Sequence, residues 1–387
     1  MMMYHHDNRS YQVAASAAAD NMKRKLEERI EAGRAQSTRI LERIDTEIPQ
    51  DRIVRGDRLT FDVVNGKQLG VSVGGNDLKV HPHALGQLLS HAGVPKNFLD
   101  SLMTREVMDE DKGVGDRWGA KLGARMLSEI YAHDHDRHLF RSVGDQLRGA
   151  LSPRYDRRDT RVILQHFLEG CQRVGAMPYE SAMSDTRVMM KVIIARLIEP
   201  VKNEIVLMGA VFEDSQYGNG ATSVSTFIER AWCTNLAVST TQTRRIHLSK
   251  ELTDADVQNE RTMQLRTDLF AEETRNAVMA QLGDNAINNV AKAVQDANEA
   301  KISPTEIDGF LKRRLTAGQA EKVQEIFNSA DVLDLPAGQS RWRLSNALSF
   351  YAHSVTDPEQ KLEVQRLAGE AMTVKPAKGE AKGRKKA

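Results

Sequence analysis

The chain has 387 residues, 40% of them hydrophobic and 28% charged, which is the composition of a soluble globular protein of about two to three domains. Two cysteines, Cys171 and Cys233, exclude a disulfide scaffold and a cysteine-cage zinc module. The formal net charge of +1 hides an asymmetry, because Lys375 to Ala387 carries +5 and leaves the rest of the chain at −4.

No apolar run approaches the ~18–20 residues of a membrane span. The opening MMMYHHDNRS lacks the charged start and apolar stretch of a signal peptide, so a cytoplasmic protein without membrane contact is expected. From Ser10 to Glu47, apolar residues recur at three and four positions (Met22, Leu26, Ile30, Ile40, Leu41, Ile44) and predict a helical arm. Gly33 should break or bend it and Pro49 end it. The arm must lay its stripe on the body of the protein or on another copy.

Leu59, Phe61 and Val63, then Leu69, Val71 and Val73, alternate around Asn65-Gly66 and predict a hairpin. Helix period returns from Leu78 to Leu102, with Pro82 near a start and Gly93-Val94-Pro95 as a break. After a polar stretch, Leu122 to Ile130 is helical. Leu139 to Val143 and Gln146 to Leu151 form a second hairpin around Gly144-Asp145, and a helix opens at Thr160. Arg187 to Ile198 and Asn203 to Glu213 read as antiparallel strands. The polar loop Asp214 to Gly220 should then lead into a helix, Val224 to Leu236.

Beyond Lys250 the pattern is helical, with a break at Gly283-Asp284. Helix starts stand at Ser303-Pro304-Thr305-Glu306 and at Asp357-Pro358, and the last helix ends near Met372. The expected class is α+β: an antiparallel sheet with helices packed on one face, plus a helical N-terminal arm and a helical C-terminal region. The divisions are an arm (1–56), an α+β core domain (57–250), a helical domain (251–372) and a disordered basic tail (373–387).

The chain lacks a phosphate-cradling glycine–lysine loop, a dinucleotide fingerprint and a nucleophile elbow, so no catalytic residue, cofactor or small-molecule substrate is assigned. His133, His135 and His138, with Asp134 and Asp136, have metal-ligand chemistry but no third element to converge on. They also fit a polar loop, and no metal is assigned. Cys171 sits on an apolar helix face and reads as core, as does Cys233 beside Trp232.

The extended signal is basic. Arg137, Arg141, Arg148, Arg154, Arg157, Arg158 and Arg161 fall within 25 residues, with Tyr155 and Phe140 among them. Arg244, Arg245, His247 and Lys250 form a second island after a run of hydroxyls. Arginine forks suit phosphate, and an aromatic ring offers a platform to a single strand. The same arginines, alternating outward on a hairpin, would also simply keep its edge soluble.

The ordered set Ala84-x-x-Gln87-Leu88, Gly93-Val94-Pro95, Phe140-Arg141-Ser142, Arg148-Gly149-Ala150-Leu151-Ser152-Pro153-Arg154-Tyr155, Ser184-Asp185-Thr186-Arg187, Tyr217-Gly218-Asn219-Gly220, Phe227 to Asn235 and Trp342 to Ala347 resembles a phage- and plasmid-borne family, the domain of unknown function numbered 932. That resemblance covers about residues 80 to 370. It implies a mobile-element context in a bacterial host and brings no activity or catalytic residue. Val206 to Leu236, a hairpin feeding a glycine loop and a helix, is more faintly similar to single-strand annealing proteins. On that likeness Arg141, Arg148, Arg154, Tyr155, Arg187, Arg244 and Arg245 would line a positive groove in an oligomeric ring. The expected function is a non-enzymatic, homo-oligomeric nucleic-acid-binding protein, single-stranded DNA favoured, contacting its ligand through these residues with Arg157, Arg158 and Lys250. The alternatives are a structural or adaptor protein working through its helices, and a metal-dependent enzyme using the histidine cluster.

Overall fold

The computed structural model describes residues 17–65, 68–109, 114–116, 118–202, 204–230, 235–245, 259–329, 336 and 338–373. Helix α1 (Ala17–Thr46) buries Leu26, Ile30, Gly33, Ser37, Ile40 and Ile44, alternating four- and three-residue steps that make one continuous stripe. Gly33 does not break it. A Cβ there would lie 2.5 Å from the backbone of Tyr179, so the residue is small because the helix crosses a strand at that point.

Past Pro49 the chain builds a six-stranded sheet in the order β1-β7-β8-β4-β3-β2. Its strands are β1 (Gln50–Arg55), β2 (Thr60–Val64), β3 (Gln68–Val73), β4 (Asn76–Val80), β7 (Arg137–Val143) and β8 (Gln146–Leu151). The expected β2–β3 and β7–β8 hairpins are present. Asn65 takes φ 52 and Gly144 φ 57, the left-handed turn conformations those residue types favour. β1 and β4 were not anticipated, and β4 pairs in parallel with β8. Helices α2 (Pro82–His91), α3 (Lys96–Met103) and α4 (Trp118–Ala132) pack on one face through Leu88, Leu89, Leu99 and Leu127. Between α3 and α4 lies a small pair, β5 (Val107–Asp109) and β6 (Val114–Asp116).

Helix α5 (Thr160–Arg173) leads to a five-stranded antiparallel sheet, ordered β13-β12-β11-β10-β9. It comprises β9 (Ala176–Met183), β10 (Val188–Val201), β11 (Glu204–Asp214), β12 (Thr222–Arg230) and β13 (Asn235–Arg245). Here the expected helix from Val224 is corrected. Residues 222–230 form a strand between β11 and β13, and residues 231–234 lie outside the described set. Of the nine β12 residues eight are buried, so its apolar spacing reflects a strand covered on both faces rather than a helix stripe. The helix on which the annealing-protein likeness leans is therefore absent from the described residues of that stretch.

Both faces of this sheet carry helices. Met190, Val192, Val206, Met208 and Phe212 meet α5 and the C-terminal helices. Ile193, Leu207, Val211 and Phe227 meet Leu26 and Ile30 of α1 and Leu362 of the last helix. The C-terminal region supplies α6 (Glu260–Leu282), α7 (Asp284–Glu299), α8 (Pro304–Lys312), α9 (Ala317–Asn328), α10 (Arg341–Ala352) and α11 (Pro358–Met372). Its start signals behave as read. Ser303 and Glu306 form a reciprocal capping box, and the Asp357 side chain accepts from the Gln360 N–H. Among the described residues no helix is long and apolar enough to cross a membrane. The class is α+β.

Candidate nucleic-acid interface

The first arginine island sits where the two sheets meet. Glu47 lies just past α1, and Pro49 turns the chain into β1, which carries Asp51 up to the β7–β8 hairpin. Asp159 caps α5 by accepting from the Arg161 N–H at 2.9 Å, and it also holds the Arg161 guanidinium through Nε and Nη2. Local capping of α5 and the long-range β1–β7 pairing, in which Asp51 stands opposite Arg141, thus bring acids and arginines together.

Four arginines converge on a cleft of about 320 Å³. Its lining includes Arg141, Arg157, Arg158 and Arg161, two carboxylates, Asp159 and Asp268, and an apolar floor of Ile48, Pro49, Val162 and Met263. Arg141 donates Nε to Asp51 at 2.7 Å and Nη1 to the Gln216 carbonyl at 2.7 Å. Arg157 lies 3.5 Å from the other oxygen of Asp51. Arg158 bonds Asp156 at 2.6 Å, and its guanidinium sits 4.6 Å over the Phe270 ring. Arg161 reaches furthest toward solvent, its side chain 39% exposed against 6% for Arg141 and Arg158.

Arg148 and Arg187 belong to a neighbouring and much smaller cavity, about 40 Å³, which shares Pro49, Asp159, Arg161 and Gln216 with the first. Arg148 is buried and donates to Glu47 at 2.5 Å and to the Asp185 carbonyl at 3.2 Å. Arg43 binds the same two acids, Glu47 at 2.7 Å and Asp185 at 2.6 Å. Burial pushes both carboxyls up, yet the arginine hydrogen bonds outweigh it and hold Glu47 and Asp185 below the ordinary range. Arg187 pairs with Glu213 at 3.3 Å and Glu359 at 2.9 Å, and Arg366 of α11 also bonds Glu213. With Asp214 and Asp185 in its wall, this cavity has at least as many carboxylates as guanidiniums.

The remaining expected contacts are dispersed in character. Arg154 is exposed in the turn after β8. Tyr155 is buried and donates its hydroxyl to the Ser215 carbonyl at 3.0 Å, and Phe140 is buried too, so neither ring is presented as a stacking platform. Burial also pushes the Tyr155 phenol up. Arg244 and Arg245 are placed by backbone register alone, opposite Ser223 and Thr222. Since Ser223 faces Glu213, and Val188 faces Asp214, that end of β13 lies at the end of the sheet that holds Arg187. Lys250 lies outside the described residues.

Sequence reasoning missed Asp51, Glu47, Asp185 and Gln216, which come from other parts of the chain and carry no local signal. Arg161 was visible as a member of the island, though not singled out. The histidine cluster splays apart: His133 faces Glu129, His135 faces Asp57 and Arg55, and His138 bonds Asp134 and lies 5.0 Å from the His91 ring. Among the described residues no group of three side chains suited to a metal ion converges. Cys171 is buried with its thiol pushed up by that burial, and Cys233 lies outside the described residues. Comparison of the chain with family models, curated proteins and solved structures gave no match.

Proposed function

We propose that this chain is a non-enzymatic nucleic-acid-binding protein that takes phosphates into the cleft between the two sheets. The observation that carries the reading is the cleft lining, in which four arginines, braced by Asp51, Asp156 and Asp159, surround a space large enough for a phosphate and its sugar. Single-stranded DNA is favoured because Arg141 and Arg158 are recessed. A flexible strand can push a phosphate into a recess, while duplex phosphates stay on a stiff cylinder. The resemblance to the phage- and plasmid-borne family supports a mobile-element setting, and assembly into a homo-oligomer would multiply a small footprint per protomer.

Gel shifts of the purified chain on single- and double-stranded oligonucleotides test this. At ~50 mM salt, binding should be seen, stronger for single strands and weakening as salt rises. Absence of a shift on either form at that salt refutes the reading.

One observation favours a second reading, that of a protein-binding adaptor. Phe98 of α3 and Trp118 and Leu122 of α4 are 54%, 41% and 46% exposed, large apolar groups that a partner would cover. The α1 stripe, by contrast, is already spent on its own sheet. Light scattering that finds discrete assemblies indifferent to nucleic acid would support the adaptor.

A further inference from the structure

We infer that the cleft reads the phosphodiester backbone and no base, so that its ligand class is any chain of linked phosphates. This rests on the proposed nucleic-acid function and narrows it. A base is held by stacking on a ring or on the face of a guanidinium, or by hydrogen bonds to its edge. None of the described residues lining the cleft is aromatic. The two recessed guanidiniums have rings of their own against them, Arg158 over Phe270 at 4.6 Å and Arg141 over Tyr217 at 5.9 Å. One face of each is therefore covered by the protein.

The hydrogen-bond donors lie on the guanidinium edges. Arg141 uses Nε and Nη1 on Asp51 and Gln216, and Arg161 uses Nε and Nη2 on Asp159. Nη2 of Arg141 and Nη1 of Arg161 are the groups a phosphate oxygen would meet. Edge-on N–H donors match the tetrahedral oxygens of a phosphate, and the apolar floor of Pro49 and Val162 suits the sugar. The aspartates hold each guanidinium in place, which fixes the direction of its outward N–H groups.

The test is fluorescence anisotropy at ~50 mM salt with labelled dT, dA and dC homopolymers of one length, with unlabelled inorganic polyphosphate as competitor. Affinities for the three homopolymers should agree within about threefold, and polyphosphate should displace all of them. Arg161→Gln should weaken all three by one common factor, and Arg157→Gln provides a second variant, each checked for folding by circular dichroism. A preference above about tenfold for one base, with polyphosphate failing to compete, overturns this inference while leaving nucleic-acid binding in place. Failure of every homopolymer to bind overturns the nucleic-acid reading itself. Displacement by polyphosphate with equal homopolymer affinities supports both.

Discussion

Arg148 separates a structural arginine from a ligand-binding one. Its side chain is 8% exposed and holds Glu47 at 2.5 Å, Gln146 at 3.0 Å and the Asp185 carbonyl at 3.2 Å. Arg148→Met keeps the stem and removes the charge. Breaking a buried ion pair costs about 3–5 kcal/mol when the partner is left alone. Glu47 keeps Arg43 at 2.7 Å, however, and is not fully buried, which brings the expected loss to about 2–3 kcal/mol. For a chain of this length unfolding as one unit, that is a fall in Tm of about 3 °C. A thermal melt reads the stability, and an oligonucleotide titration below the transition reads binding, which should change less than about twofold. An unchanged Tm together with a collapse of binding would refute the assignment and make Arg148 a ligand contact.

Other consequences are as direct. Gly209→Ala would put a Cβ 2.1 Å from the Val192 carbonyl and 2.3 Å from the Phe227 ring, so a loss of about 1–3 kcal/mol or more is expected in urea melts. Glu47 and Asp185 have folded pKa values below their ordinary 4.5 and 3.8, so their stabilisation is complete above those values and disappears as pH falls through the lower folded ones. Acid unfolding should thus gain a component below about pH 4 that Glu47→Gln reduces, followed by circular dichroism. Ser303→Ala removes one half of a capping box and should cost about 1 kcal/mol in the same melts without affecting binding.

What could be read ahead of the structure was whatever local chemistry decides. Asn65 and Gly144 in their turns, Ser303 and Asp357 at helix starts, and the break at Gly283 all behave as their residue types require. Long-range packing hid the rest. β12 carries apolar residues at a spacing that also fits a helix, because a strand buried on both faces has no alternation to show. β9 contains Pro178 and polar residues, which a sheet tolerates there because β9 is an edge strand with a register shift at that point. Gly33 looked like a helix breaker, and its reason lies 146 residues away at Tyr179. The arginine island was legible as a composition. Its acids were not, since Asp51 and Asp185 reach it from β1 and from the turn before β10.

The salt dependence of single-strand binding, wild type against Arg161→Gln, bears most directly on the central claim. For wild type, log affinity should fall linearly with log salt, at a slope of about −0.7 for each phosphate engaged. Arg161→Gln should make that slope shallower by about one phosphate's worth. Equal slopes for the two proteins, or an affinity that ignores salt, would contradict the placement of phosphates in this cleft.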